Sequence, residues 1–226
     1  MGLMDSIDEI QRFVHAQNPP PELIAVSKNK SAGVVREAYE LGLRAFGENR
    51  VQEFLTKREE LEDLQIRWHF IGNLQSNKVN SIVGAVELFH GLDSMKIFRK
   101  ISGAGMKLDK VTPSLIQVNI SRESQKNGVL PEDLESFCRN LIIENNPHCP
   151  ILGLMCIGSS VEWAGVGKVR EEFEQMYKLF TSLNFLEMSN FKMKFLSMGM
   201  SSDFRLAVKY GSNMIRIGQA IFGSRF

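Results

Sequence analysis

Cysteine is scarce in this 226-residue chain: Cys138, Cys149 and Cys156 are an odd set with no C-x-x-C pair. That excludes a disulfide framework or a thiol-rich metal knuckle and is the pattern of a reduced, cytoplasmic protein. The four histidines form no H-x-H or H-x-x-x-H pair, and His69 and His90 fall in separate apolar runs, so no metal site is expected. Charge of one sign is lacking too. Twenty-seven basic residues against 26 acidic ones leave +1, with no long run of either, which excludes broad binding to nucleic acid or to an anionic membrane. No apolar stretch approaches the ~20 residues that span a bilayer. The opening MGLMDSIDEI lacks the basic-then-apolar order of a secretory signal. Gly2 with Ser6 meets the loose myristoylation pattern, but Asp5 or Ser6 capping a helix accounts for the same residues. No G-x-G-x-x-G follows the first apolar run and no G-x-S-x-G occurs, against a dinucleotide-binding open sheet and a hydrolase elbow.

What the chain does have is alternation. Ile7, Ile10, Phe13 and Val14 recur at helical spacing ahead of Pro19 to Pro21. Eight short apolar runs follow: LIAVSK to Lys28, LRAF to Phe46, IRWHFIG to Gly72, VELFHG to Gly91, SLIQVNI to Ile120, ILGLMCI to Ile157, KFLSMG to Gly199 and MIRIG to Gly218. Near-continuous apolar runs are those of a parallel sheet covered on both faces. Helical stretches separate them. Ser31 opens one; Asn49 with Gln52 reads as a capping box; Pro131 suits a first helical position; Val166, Val169, Phe173, Met176 and Phe180 form an apolar stripe; a last helix starts near Ser202 and ends at Gly211. Eight β-then-α units predict one α/β domain over residues 1–226, a (β/α)8 barrel of the TIM type. The last strand precedes only AIFGSRF, so the N-terminal helix is expected to cover the place of an eighth helix.

Active sites of such barrels lie at the C-terminal strand ends. Lys28 ends the first strand, where its amine would enter the mouth as a Schiff-base nucleophile, the alternative being a solvated lysine. SMGMSSD (Ser197 to Asp203) follows the seventh strand and RIGQAIFGS (Arg216 to Ser224) the eighth, the two positions of this fold's recurrent phosphate site. Together they predict a phosphate-bearing aldehyde held as an imine, and pyridoxal phosphate fits. Arg216, facing a pyridine nitrogen, would keep that nitrogen unprotonated and the ring a weak electron sink; an ion-paired surface role is the alternative. Asn49 could touch a cofactor ring or simply cap its helix. Asn73, Gln75 and Asn77 are expected to satisfy backbone groups. Lys126 could meet an anion or be solvated.

IAVSKNK, RAFGENRVQEF, WHFIGNLQSNK, LIQVNIS with the downstream K-N-G, GLMCI, FLSMGMSSD and MIRIGQAIFG, in this order from about residue 23 to the end, closely resemble the pyridoxal phosphate homeostasis protein family. The resemblance implies a single barrel like the N-terminal domain of alanine racemase (fold type III among pyridoxal phosphate proteins), without the racemase's C-terminal β-domain. It implies that Lys28, not Lys30, binds the cofactor covalently as an aldimine. It places Asn49 beside the ring, Ser197, Met200 and Ser201 near the phosphate, Arg216 at the ring nitrogen, and Gly218 with Gln219 at the phosphate. Two positions depart from the family: Arg50 stands where tyrosine is usual after FGEN, and Gln219 where a small hydroxyl residue usually follows RIG. Gln219 would contact the phosphate through its amide or leave that to its backbone N–H. The expected function is to carry or buffer pyridoxal phosphate and maintain vitamin B6 and amino-acid homeostasis, in a cytoplasmic monomer, with apo-forms of pyridoxal phosphate enzymes as recipients. No catalytic residue is assigned. The alternatives are an amino-acid racemase that borrows its second base from a partner copy, and a cofactor-free isomerase using Lys28 on a sugar phosphate. Tyr39, Tyr177 and Tyr210, the only tyrosines, fall in helical segments away from the strand ends.

Overall fold

The computed structural model of the chain describes residues 2–186 and 188–223. Eight parallel strands, β1 (Glu22–Val26), β2 (Ala45–Glu48), β3 (Arg67–Phe70), β4 (Leu88–Leu92), β5 (Ser114–Val118), β6 (Ile151–Cys156), β7 (Phe191–Ser197) and β8 (Met214–Ile217), pair in chain order. β8 returns to β1 with Glu22 opposite Met214 and Ala25 opposite Ile217, which closes the barrel and leaves no sheet edge. The helices are α1 (Leu3–His15), α2 (Ala32–Glu40), α3 (Val51–Glu60), α4 (Met95–Leu108), α5 (Leu134–Glu144), α6 (Val161–Ser182), α7 (Phe204–Lys209) and α8 (Gln219–Phe222).

Most of the strands read as near-continuous apolar runs because they are covered on both faces. An outer set including Phe46, Phe54, Phe70, Phe89 and Phe173 packs strands against helices, while Ile24, Ala45, Leu88, Leu115, Met155 and Met214 cluster separately inside the barrel. α1 buries Ile7, Ile10 and Val14 and lies against α2 and α8. Phe13 meets Phe204 edge-on at 5.1 Å, and Glu9 pairs with Arg205 at 3.0 Å. The N-terminal helix thus takes the place that the four-residue α8 is too short to fill. No helix of the described residues is long and apolar enough to cross a membrane.

Several local expectations change. After β3 the chain makes a 3-10 turn, Ser76–Ser81, in place of an α-helix. Helix α1 is capped from Gly2, whose N–H donates to Asp5 Oδ2 at 3.1 Å, while Ser6 is buried. Ser31 caps α2 as expected, accepting from the Val34 amide. Asn49 does not cap α3: the cap position is Arg50, in extended backbone and without a side-chain bond. In α6, Gly165 breaks the helical path at φ +78°, so Val166 turns outward while Val169, Phe173 and Met176 stay buried. Pro131 opens a 3-10 turn that leads into α5.

Candidate functional site

The strands' C-terminal ends surround a cavity of about 750 Å³, lined by Lys28, Asn49, Met200, Ser201, Arg216, Gly218 and Gln219 among others. Seven of the eight residues expected at a cofactor therefore meet in one mouth. Ser224, the last residue of the second expected phosphate segment, lies outside the described residues.

Lys28 sits two residues beyond β1, on a loop anchored from below. The Ser27 amide donates to Gly47 O, and Asn29, in the left-handed region at φ 61°, donates its amide to Glu53 Oε1 at 2.5 Å. Beneath the loop, Lys57 of α3 is only 4% exposed. Its ammonium donates to Ser27 O at 2.7 Å, to Glu48 Oε1 at 2.7 Å and to Glu53 Oε1 at 2.6 Å. The Ser27 hydroxyl donates to Glu48 Oε1 at 2.6 Å. Burial pushes the Glu48 carboxyl up, and the Lys57 and Ser27 hydrogen bonds pull it back. Lys30 is turned away from this role, its ammonium donating to Phe222 O across the mouth at 2.9 Å.

On the opposite wall the loops after β7 and β8 are joined: Ser201 Oγ accepts from the Ala220 amide at 3.1 Å. Asp203 shapes the first loop by accepting from the Met200 amide at 2.6 Å. α8 follows Gly218, and Gly218 and Gln219 line the mouth beside Ser201, whose Oγ already takes the Ala220 amide of the helix's first turn. The Gln219 side chain is exposed at the rim. Arg216 points from β8 into the same cavity and is buried, donating to Ser197 Oγ at 2.6 Å and Cys156 O at 2.8 Å. Burial lowers its pKa, and Asp203 opposes that shift. A guanidinium nonetheless keeps its charge in proteins and remains a pure donor.

Asn49, relieved of capping, lines the mouth with an Oδ1 that is buried and unpartnered among the described residues. Gly72 is required beside it: a Cβ there would stand 2.2 Å from Asn49 O. Ser197 departs from expectation. It is fully buried beneath Arg216, does not line the mouth, and cannot touch a phosphate there. Of the third strand's amides only Asn73 reaches the cavity, not Gln75 or Asn77. Lys126 also lines it, with its ammonium held by Glu123 and by Gly158 O at 2.9 Å. Arg50, the other departure from the family pattern, is exposed and outside the lining.

Two groups escaped sequence reasoning. One is the Lys57–Glu48 pair, for which Glu48 beside the expected Asn49 was the only signal. The other is a histidine contact: His69 Nδ1 lies 2.9 Å from His90 Nε2, and His90 Nδ1 lies 3.2 Å from Ser197 Oγ.

Comparison with known proteins identifies the family and the fold. The model of the alanine racemase N-terminal domain family matches residues 4–226. A pyridoxal phosphate homeostasis protein of Aquifex aeolicus is 40% identical over 90% of this chain and 87% of its own length. One from Schizosaccharomyces pombe is 38% identical over 96% and 89%. The structure of PipY from Synechococcus elongatus determined with pyridoxal phosphate bound superposes with a TM-score of 0.86 at 31% identity, covering 98% of this chain and all of that one. An alanine racemase of Clostridium difficile shares the fold, with a TM-score of 0.75 at 12% identity, but this chain spans only 56% of its length.

Proposed function

Because the chain belongs to the pyridoxal phosphate homeostasis protein family, a barrel lineage of the alanine racemase N-terminal domain, we propose that it binds pyridoxal phosphate at the strand-end mouth and carries or buffers it. The observation that carries this reading is the convergence of Lys28, Asn49, Ser201, Arg216 and Gly218 on one cavity. The residues fit the group. Asn49 Oδ1 is a buried acceptor without a partner among the described residues, and Gly218 and Gln219 line the mouth beside Ser201. When bound, pyridoxal phosphate supplies an aldehyde carbon open to an amine, an aromatic ring and a phosphate. Lys28 would provide the amine and bind covalently. Ser201, with its hydroxyl proton still to donate, and the Gly218 and Gln219 amides would hold the phosphate. Asn49 would lie beside the ring.

Arg216 would face the ring nitrogen. A donor-only cation there keeps that nitrogen unprotonated, which favours binding and disfavours electron withdrawal from an attached amino acid. A racemase also needs a second base. Among the described residues no tyrosine, histidine or carboxylate lines the mouth, and Lys30 and Lys126 are each tied to a carbonyl oxygen. The protein is accordingly a carrier without efficient catalysis. The three cysteines are unpaired and buried, their thiols pushed up to about 12 by burial, as suits a cytoplasmic protein. It would act as a monomer, with apo-enzymes that need the cofactor as its recipients.

The test is the visible spectrum of the protein after addition of pyridoxal phosphate, for wild type and Lys28→Ala, with borohydride reduction and peptide mapping. A yellow wild type carrying the reduced adduct on Lys28 is expected. A colourless wild type, or an adduct unaffected by Lys28→Ala, overturns the assignment. Racemisation of alanine at an enzyme-like rate overturns the carrier role.

A further inference from the structure

Side chains alternate along a strand, so Arg67, His69 and Ile71 share one face of β3 and its extension, and Met214, Arg216 and Gly218 one face of β8. Ile71, Arg216 and Gly218 line the mouth, which places His69 inside the barrel beneath it. His69, His90 and Ser197 then form a buried file that leads from Arg216 down the barrel interior.

The direction of this file is fixed by chemistry. Arg216 can only donate, and it donates to Ser197 Oγ. The Ser197 hydroxyl proton then needs an acceptor, and His90 Nδ1 is the neighbour at 3.2 Å. His90 must carry its proton on Nε2 and donate it to His69 Nδ1 at 2.9 Å. His69 in turn carries its proton on Nε2, a buried atom with no partner among the described residues. His69 belongs to a cluster with Glu22 and Glu87, one ring nitrogen and one oxygen of each carboxylate lying within 4.8 Å of one another. With Nδ1 turned to His90, an N–H on the other nitrogen is favourable beside two carboxylates, whereas a bare nitrogen there would set acceptor against acceptors. Reversing the file would also strand the Ser197 proton. The same reasoning removes a metal from this cluster: Nε2 is a donor, and Arg67 already bridges Glu22 and Glu87. Burial keeps both rings neutral, His69 being pulled down to about 3 and His90 well below its ordinary value.

We infer that His69 and His90 are positioning residues for the cofactor ring: with Ser197 they form a one-way hydrogen-bond relay that fixes the Arg216 guanidinium from the acidic far end of the barrel. Arg216 would hold pyridoxal phosphate, and the histidines would act on it only through that side chain. This rests on the binding reading above, and two experiments separate their fates.

The first needs no cofactor. Imidazole 15N NMR of the apo protein at neutral pH is expected to show both rings neutral with the proton on Nε2. A proton on Nδ1 of either ring, or a charged ring, overturns the relay whether or not the protein binds pyridoxal phosphate. The second is a pyridoxal phosphate titration of Ser197→Ala, His90→Leu and His90→Asn, with folding checked by circular dichroism. Asparagine keeps an acceptor where Nδ1 stood. Ser197→Ala and His90→Leu are expected to weaken binding about tenfold and to shift the bound cofactor's absorption maximum, with His90→Asn nearer wild type. Wild-type affinity and spectrum in both Ser197→Ala and His90→Leu overturn the relay. A wild type that binds no pyridoxal phosphate overturns the functional reading, and the tautomers still decide the relay.

Discussion

Replacing Lys57 by methionine removes the cation from a pair in which Glu48 is wholly buried and Lys57 nearly so. Methionine keeps the stem's volume, so the loss is electrostatic. Glu48 Oε1 retains only the Ser27 hydroxyl, and its Oε2 already lacks a partner among the described residues. Breaking a buried pair from one side costs about 3–5 kcal/mol, because the remaining charge is stranded. In a chain of this length each kcal/mol lowers Tm by roughly 2–4 °C, giving a fall of about 6–20 °C by differential scanning calorimetry. Adding Glu48→Gln removes the stranded charge and is expected to restore at least half of the loss. Lys57 also holds Ser27 O, directly before Lys28, so Lys57→Met alone should slow covalent loading of Lys28 in a stopped-flow absorbance trace. A Tm unchanged by Lys57→Met, or a double variant less stable than the single, would refute the reasoning.

The buried histidines make the protein acid-sensitive. His69 has a folded value near 3 against an ordinary 6.5, so below pH 6.5 only the unfolded chain takes up its proton. Stability present at pH 7 is therefore lost as pH falls, by about 2 kcal/mol at pH 5 from His69, or roughly 4–8 °C in Tm. Melting curves of wild type and His69→Gln at pH 7 and 5 read this; equal slopes would refute it. Gly72→Ala drives a methyl into the Asn49 carbonyl, and calorimetry with a pyridoxal phosphate titration should show both stability and affinity reduced. Ser201→Ala cuts the bond between the two phosphate-side loops, worth about 1 kcal/mol, and should lower Tm by roughly 2–4 °C and weaken pyridoxal phosphate binding about fivefold.

The strands were legible because residues such as Phe46, Phe70 and Phe89 put apolar side chains on the outer face as well as the inner, so few polar positions interrupt each run. Lys28 and Arg216 were legible because strand ends in this fold face a common mouth. Asn49 was ambiguous, since N-x-x-Q is also a cap signature; only the start of α3, with Arg50 at the cap, decides between the uses. Ser197 was misplaced for a related reason. It shares a sequence block with Ser201, but lies on the strand itself, where inward means down toward His90 and not up toward the mouth. The histidine file joins residues from β3, β4, β7 and β8, and Ser197 is 107 residues from His90. No local periodicity carries such a contact, and each histidine alone reads as core.

What escaped the sequence also bears on function. Apolar packing in these places would serve stability as well or better, since a buried ion pair of good geometry is at best about even with hydrophobic packing. Yet polar groups fill two columns, and each ends under a residue of the mouth. Lys57 and Glu48 end under Ser27 and hence Lys28; His69, His90 and Ser197 end under Arg216. One column sets where an amine enters the mouth, the other where a guanidinium stands across from it. Removing a column should therefore change binding and spectrum more than its cost in stability would suggest, and that inequality distinguishes a support for the ligand from a support for the fold.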